Sequence, residues 1–399
     1  MIREICSIAI NGRPQADLVP DIFEVEVEEH VDAADVFRVR VAVAVKNDGT
    51  WTHLDDDRFV VWNRLSIVAG YPDDNDTIID GYITHIHAYL SATGAEDMYI
   101  EVAGMDASAL MDLEEKQLAW PNKKDSEIAQ QIFSSFGLSS VVEDTTLVHD
   151  ERVATILQSE SDIRFLRRLA ARNGFECFIQ GGKGFFRSPN FQDPPQKVLA
   201  IQFGQETNLS SLQLYVDGTP PTSLEIRRID PVAKQENREK LGNVPRRRIG
   251  ARTLNDLRAS LPDGKRLIKQ RPAAGTEEMQ GELRAGYEAA GEFVTVSGEI
   301  DSRAYRAVLR AKKLVTIKGA GATYSGLYYV TRARHLFTNE QYIQSFEGYR
   351  NGVGLTGAER FAAPSSLLPI ATGAATDSVP TGNRVLPVRQ RSSSIPGGS

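Results

Sequence analysis

The sequence predicts a mainly β protein in which two strand-rich segments flank a smaller α/β insert and a low-complexity segment follows. Three observations predict it. Apolar residues alternate with charged ones in short runs over the first hundred positions and again from about position 208. Two one-faced helical patterns fall between those regions, and the last stretch is built of Pro, Ser, Gly and Thr.

Phe23 to His30, FEVEVEEH, alternates apolar and acidic residues, as a half-buried strand does. Val36 to Val45, VFRVRVAVAV, alternates and then turns uniformly apolar, and Arg58 to Tyr71, RFVVWNRLSIVAGY, reads as a buried strand pair with Trp62 in the core. Turn clusters separate them: KNDG at 46–49, LDDD at 54–57 and PDDND at 72–76. In DSEIAQQIFSSFGL, Asp125 to Leu138, Asp125 stands as N-cap, Ile128, Ala129, Ile132, Phe133 and Phe136 share a stripe, and Gly137 closes the helix. In QSESDIRFLRRLAARNGFECFI, 158–179, Ser159 or Ser161 caps, Ile163, Leu166, Leu169 and Ala170 share a face, and Asn173 with Gly174 stops it. A hairpin turning on Gly181 to Gly184 follows.

Strands return at Leu209 to Val216 and Ser223 to Ile229. The polar stretch from Asp230 to about Pro272 reads as a long loop, Thr276 to Ala290 as a helix, and 312–319, 325–337 and 340–350 as strands. These divisions give a first β domain over 1–112, an α/β insert over 113–200, a second β domain with an inserted helix over 201–360, and a tail over 361–399 that is mobile or orders only on a partner. The strand-rich pattern occurs twice, which suggests a duplicated β module, yet no clean sequence repeat accompanies it.

With 399 residues, 41% hydrophobic and 25% charged, the chain has the composition of a soluble multidomain protein. Its net charge of -7 argues against a general binder of nucleic acid or anionic membrane. Cys6 and Cys177 make neither a disulfide framework nor a thiolate zinc site. No run is long and apolar enough for a signal segment or a membrane span, so synthesis as a soluble cytoplasmic protein is expected.

Candidate chemistry is sparse. His85 and His87 sit two apart, as two metal ligands on one strand face would, but no third ligand lies nearby. The acidic clusters at 55–57 and 73–76 lack the EF-hand spacing, and Asp and Asn are the ordinary residues of tight turns. GGKGFF and KGAGATYSG match neither nucleotide-loop pattern and fall where hairpins are expected. No nucleophile elbow is present. Arg164, Arg167, Arg168 and Arg172 lie mostly off the apolar stripe of their helix, either solvated or facing an acidic partner. The expectation is no enzyme, no cofactor and no metal.

Several segments nevertheless fall in a familiar order: DGYITHI (80–86), EVAGMDASALM (101–111), WPNKKDSEIAQQIFSSFGL (120–138), QSESDIRFLRRLAARNGFECFIQGGKGFFRSP (158–189), EIRRIDP (225–231) and GLYYVTRARHLFTNEQYIQSFEGYRNG (326–352). In this the chain resembles phage late control gene D proteins and the hub part of VgrG-like spikes, over roughly residues 1–355. The resemblance implies two tail-tube-like β-barrel domains plus a smaller α/β domain. It implies a baseplate hub of a contractile phage tail or contractile injection system, in which a homotrimer forms a pseudo-sixfold ring between a hexameric inner tube and a trimeric spike. The implied partners are the inner tube protein, a separate spike protein, other baseplate proteins and cargo in the lumen, with no nucleic-acid specificity. The motif positions it marks as structural or interface residues are Gly81, Asp106, Trp120, Asp162, Phe165, Leu166, Leu169, Gly174, Asp230, Gly326, Tyr328, Tyr329, His335, Tyr342 and Phe346. A tail-associated cell-wall hydrolase and a carbohydrate-binding adhesin are the rival readings, the second resting on Trp51, Trp62 and Trp120.

Overall fold

The alternating runs become strands of one 13-stranded, largely antiparallel sheet in a computed structural model that describes residues 4–361, apart from 93–97, 153–154, 230–233, 243–247, 262–264, 269–275, 358 and 360. Asp230 and the tail beyond 361 therefore lie outside the described residues. The first half supplies β1 (Ile5–Ile10), β2 (Ile22–His30), β3 (Val36–Ala42), β4 (Arg64–Tyr71), β5 (Asp74–Tyr89) and β6 (Tyr99–Asp106). The second supplies β7 (Gln196–Ala200), β8 (Leu209–Val216), β9 (Val294–Asp301), β10 (Leu314–Lys318), β11 (Gly326–Thr338) and β12 (Tyr342–Arg350), and the two-residue strand Arg13–Pro14 completes the thirteen.

The two halves are wired alike. In the first the spatial order is β1-β4-β5-β6-β3-β2, and in the second β7-β10-β11-β12-β9-β8, so each strand of one has a counterpart six labels on in the other. The register agrees as well as the order. Ile83 faces Gly104, Gly104 faces Phe37 and Phe37 faces Val27. In the second half Val330 faces Gly348, Gly348 faces Val296 and Val296 faces Leu214. Bulges recur at matching places: between Ile83 and His85 and between Val330 and Arg332, and again between Ile22 and Glu24 and between Leu209 and Ser211. Gly104 and Gly348 follow from the bulges, because a Cβ at either position would run into a carbonyl oxygen, of Tyr82 and of Tyr329 respectively. One strand departs from the duplication: β1 runs antiparallel to β4, whereas β7 runs parallel to β10.

The halves are joined through β11. Its first residues, Gly326 to Tyr329, pair with β10, and beyond the bulge Arg332 to Thr338 pair with β2 of the first half. Each half keeps its own apolar core, one around Val27, Phe37, Ile67, Ile83 and Val102 and one around Val296, Leu309, Val315, Tyr328 and Phe346. Phe337 and Tyr342 cross over into the first core.

Between the halves lie α1 (Asp125–Ser135) and α2 (Asp162–Asn173), packed on a three-stranded sheet of 139–142, 183–187 and 176–180. The predicted stripes form its core, with Ile128, Ile132, Phe133, Ile163, Leu166 and Leu169 all buried. Gly174 ends α2 with a left-handed φ of 69°. Two expected caps are spent otherwise. Asp125 is the first helical residue rather than the cap, its carboxylate taking Arg172 and Asn173. Ser161 holds the cap position, but its hydroxyl bonds Asp112.

Two further expectations are corrected. Within Arg58–Tyr71 only β4 is a strand; Trp62 takes a φ of 72° in a turn that Asn63 stabilises on the carbonyls of Asp57 and Arg58, and its side chain is exposed. The polar stretch after Ile229 is not simply a loop. Strands 236–242 and 265–268 flank Ser223–Ile229 in a separate three-stranded sheet, and a short helix covers 254–257. That sheet is half-buried: Leu224 and Ile226 pack on Met279 and Leu283 of α3 (Thr276–Ala290), while Glu225 takes Arg227 and Arg238.

Candidate functional site

Polar burial concentrates where the two halves and the insert meet. In FEVEVEEH the alternation puts Glu29 on the same inward face as Val25 and Val27, and a carboxylate there needs a partner. Arg310 supplies it, with Nε at 2.9 Å and an Nη at 2.6 Å, while the Ala311 amide donates at 3.1 Å and the Gln180 side chain at 3.2 Å. Burial alone would raise the Glu29 carboxyl; Arg310 overcomes that and holds it below its ordinary value. The other Arg310 Nη pairs with Asp76.

Two residues further on, buried Lys312 reaches both oxygens of buried Asp35, at 2.7 and 2.8 Å, and lies over the Phe178 ring of the insert. Asp35 in turn is tied to Asp106: the Asp35 amide donates to the Asp106 carboxylate at 2.8 Å, and the Asp106 amide donates back to the Asp35 carbonyl at 2.9 Å. Burial pushes the Asp35 carboxyl up to about 7, against the pull of Lys312. The insert adds Glu176, which accepts from the Tyr329 hydroxyl at 2.8 Å and which burial likewise pushes up to about 7. Fully buried His335, whose Nδ1 lies 2.8 Å from the Tyr342 hydroxyl, is driven down to about 4 by burial and is neutral at neutral pH.

Of the motif positions, Asp106, Tyr329, His335 and Tyr342 thus gather at or beside this joint. Gly81 sits on β5 where a Cβ would strike the Met105 carbonyl of β6. Gly326, Tyr328 and Phe346 belong to the second half, with Tyr328 and Phe346 in its core and Gly326 packed near Arg350. Trp120, Asp162, Phe165, Leu166, Leu169 and Gly174 build the insert, where Trp120 stacks on Phe165 and donates to Gln158, and Asp162 takes Lys116 and Gln158. Glu29, Asp35, Glu176, Arg310 and Lys312 were not singled out by the motifs. Glu29 had a signal, the doubled Glu28-Glu29 that ends the alternation; the others face partners 153 to 281 positions away, which local pattern does not carry.

The remaining candidates lie away from this joint. His85 and His87 are exposed, His85 on Thr84 and His87 edge-on to Tyr99. Among the described residues no group of three or more His, Cys, Asp and Glu is placed to hold a metal ion. In the arginine row of α2, Arg164 pairs with Asp112, Arg168 with Glu160 and Arg172 with Asp125. Arg167 instead faces a cavity of about 940 Å³ lined also by Glu143, Arg187 and Cys177, whose thiol burial raises to about 12. No described helix is long and apolar enough to cross a membrane.

The fold is that of tail proteins. The chain superimposes on the prophage MuSo2 43 kDa tail protein from Shewanella oneidensis with a TM-score of 0.65 at 11% identity, over 88% of this chain and 99% of that one. A tail protein from Neisseria meningitidis gives 0.61 at 11% identity, over 87% and 96%. An Escherichia coli component of the type VI secretion system, itself described as similar to the T4 tail proteins gp27 and gp5, gives 0.54 at 12% identity, over 86% and 76%. By sequence, the chain belongs to the Alg8 N-terminal domain family, whose model matches residues 4–339. That family carries a different description from the gene D proteins, while the solved tail proteins and the secretion component agree with the resemblance in fold. No curated protein matches the chain by sequence.

Proposed function

We propose that the chain is the structural hub of a contractile phage tail or contractile injection system, a homotrimer whose six β modules form a pseudo-sixfold ring between a hexameric inner tube and a trimeric spike. The observation that carries this reading is the duplication: two modules of one strand order and one register, fused in one chain. Three such chains present six similar surfaces to a six-fold partner and three identical ones to a three-fold partner, which resolves a symmetry mismatch that a single module leaves open. The buried ion pairs at the joint favour one fixed angle between modules, as a ring requires. The role is architectural and without catalysis, and the segment 361–399 is assigned to the spike or a neighbouring baseplate protein.

Light scattering with particle imaging, on the protein alone and co-expressed with its genomic neighbours, tests the reading. A three-chain ring that captures tube or spike subunits is expected; a chain that stays monomeric in every combination overturns it. Zymography on bacterial cell wall is expected to show no clearing, and deletion of 361–399 is expected to cost spike attachment while sparing the ring.

A further inference from the structure

The join inside the chain has an unfilled counterpart on its outside. Within the molecule, β2 of the first module pairs with β11 beyond its bulge. The register places β8 in the second module where β2 stands in the first, and β5 beyond its own bulge where β11 stands in the second. Among the described residues β8 pairs only with β9, and His85 to Tyr89 of β5 pair only with β6, so each offers an open edge. Both edges carry exposed apolar side chains among polar ones: Ile86, Tyr89 and, just past the strand, Leu90 on one, and Tyr215, at 65% exposure, with Val216 on the other.

We infer that β8 of one copy adds antiparallel to the second half of β5 in the next copy, repeating between chains the join that β2 and β11 make within one. The inference rests on the hub reading for the closure of the ring, but the pairing itself rests on the internal join. That join also dictates the register. Inside the chain Arg334 faces Glu28, His335 faces Val27 and Phe337 faces Val25. Carried across the module equivalence, His87 faces the next copy's Tyr215, Ala88 its Leu214 and Leu90 its Leu212. Leu212 and Leu214 already lean on the second core, so Ala88 and Leu90 extend that core across the boundary as Phe337 extends the first.

The chemistry of the two joins differs in a readable way. Inside, Arg332 pairs with Glu28 at 2.7 Å and Arg334 with Glu26. The positions corresponding to these two pairs between copies, His85 with Tyr215 and His87 with Gln213, hold no Arg–Glu pair. Ring assembly is therefore expected to respond little to salt.

The test is a cysteine pair in the full chain, His87→Cys with Tyr215→Cys, oxidised under assembly conditions, with particle mass measured in parallel by light scattering. The expected result is a covalent series ending at three chains, absent from either single variant and at least about tenfold weaker when the pair is slipped along the same face to His87→Cys with Gln213→Cys. A three-chain particle without the 87–215 link overturns this pairing and leaves the hub reading standing. A link closed within a single chain overturns the pairing as well, and a strict monomer overturns both. As a second arm, Ile86→Lys with Val216→Lys places charges on exposed edges only. It is expected to abolish the particle with the monomer's melting temperature unchanged, and an intact particle counts against the pairing.

Discussion

At the scale of the residue, the joint is a place where burial and charge oppose one another, and Glu176 shows it in measurable form. Its carboxyl ordinarily titrates near 4.5 and is pushed by burial to about 7 in the folded chain. A raised value means the folded state holds the proton longer than the unfolded one does, so this contribution to stability is fully present below about pH 4.5 and is lost as pH rises through 7. Asp35, also raised to about 7, acts in the same sense. His335, lowered to about 4, acts oppositely, since its contribution is present above the ordinary imidazole range and lost as pH falls through 4. Glu176→Gln keeps an acceptor for the Tyr329 hydroxyl without the charge. The variant is expected to match the native protein at pH 5 and to exceed it at pH 8 by on the order of 2 kcal/mol, read as a few degrees in thermal melts. Melting curves that run parallel from pH 5 to 8 count against it.

At the scale of the element, the bulges set the constraint. Gly104 and Gly348 lie across from the two bulged strands in equivalent places, and each admits no side chain without moving a carbonyl. Gly104→Ala is expected to cost roughly 2–3 kcal/mol in denaturant unfolding, and Gly348→Ala to cost a similar amount. If both unfold like the native chain, the close approach is not rigid. The same elements show how far the sequence was legible. Leu209–Val216 and Thr276–Ala290 have the limits the pattern predicts, because Leu212 and Leu214 two apart in one and Met279 and Leu283 four apart in the other turn one face to a core. Trp62 was misplaced because its apolar neighbours resemble a strand, while the chain turns there on a left-handed backbone that no residue type announces. The duplication was suspected but not legible as a repeat. What the halves share is the set of pairings, kept by glycine and by bulge position, and pairing leaves almost no trace in residue identity.

At the scale of the whole molecule, fusing two modules in one chain restricts what can be built. Any closed ring of such chains contains an even number of modules, so five- and seven-module errors are excluded by covalent structure rather than by contact energy. The join through β11 also carries a cost in time. The Arg332–Glu28 pair closes over 304 residues, so β2 leaves the ribosome long before its partner exists. At about 5–20 residues per second, that interval is roughly 15–60 s. During it β2 is a bare sheet edge on each nascent chain of a polysome. Its outward side carries Glu24, Glu26 and Glu28; Glu24 and Glu26 already meet Arg38 and Arg40 of β3, whereas Glu28 keeps its charge on the open edge, against other such edges, until Arg332 arrives. Nascent chains carrying Glu28→Gln are thus expected to clump on their polysomes, where native chains stay apart.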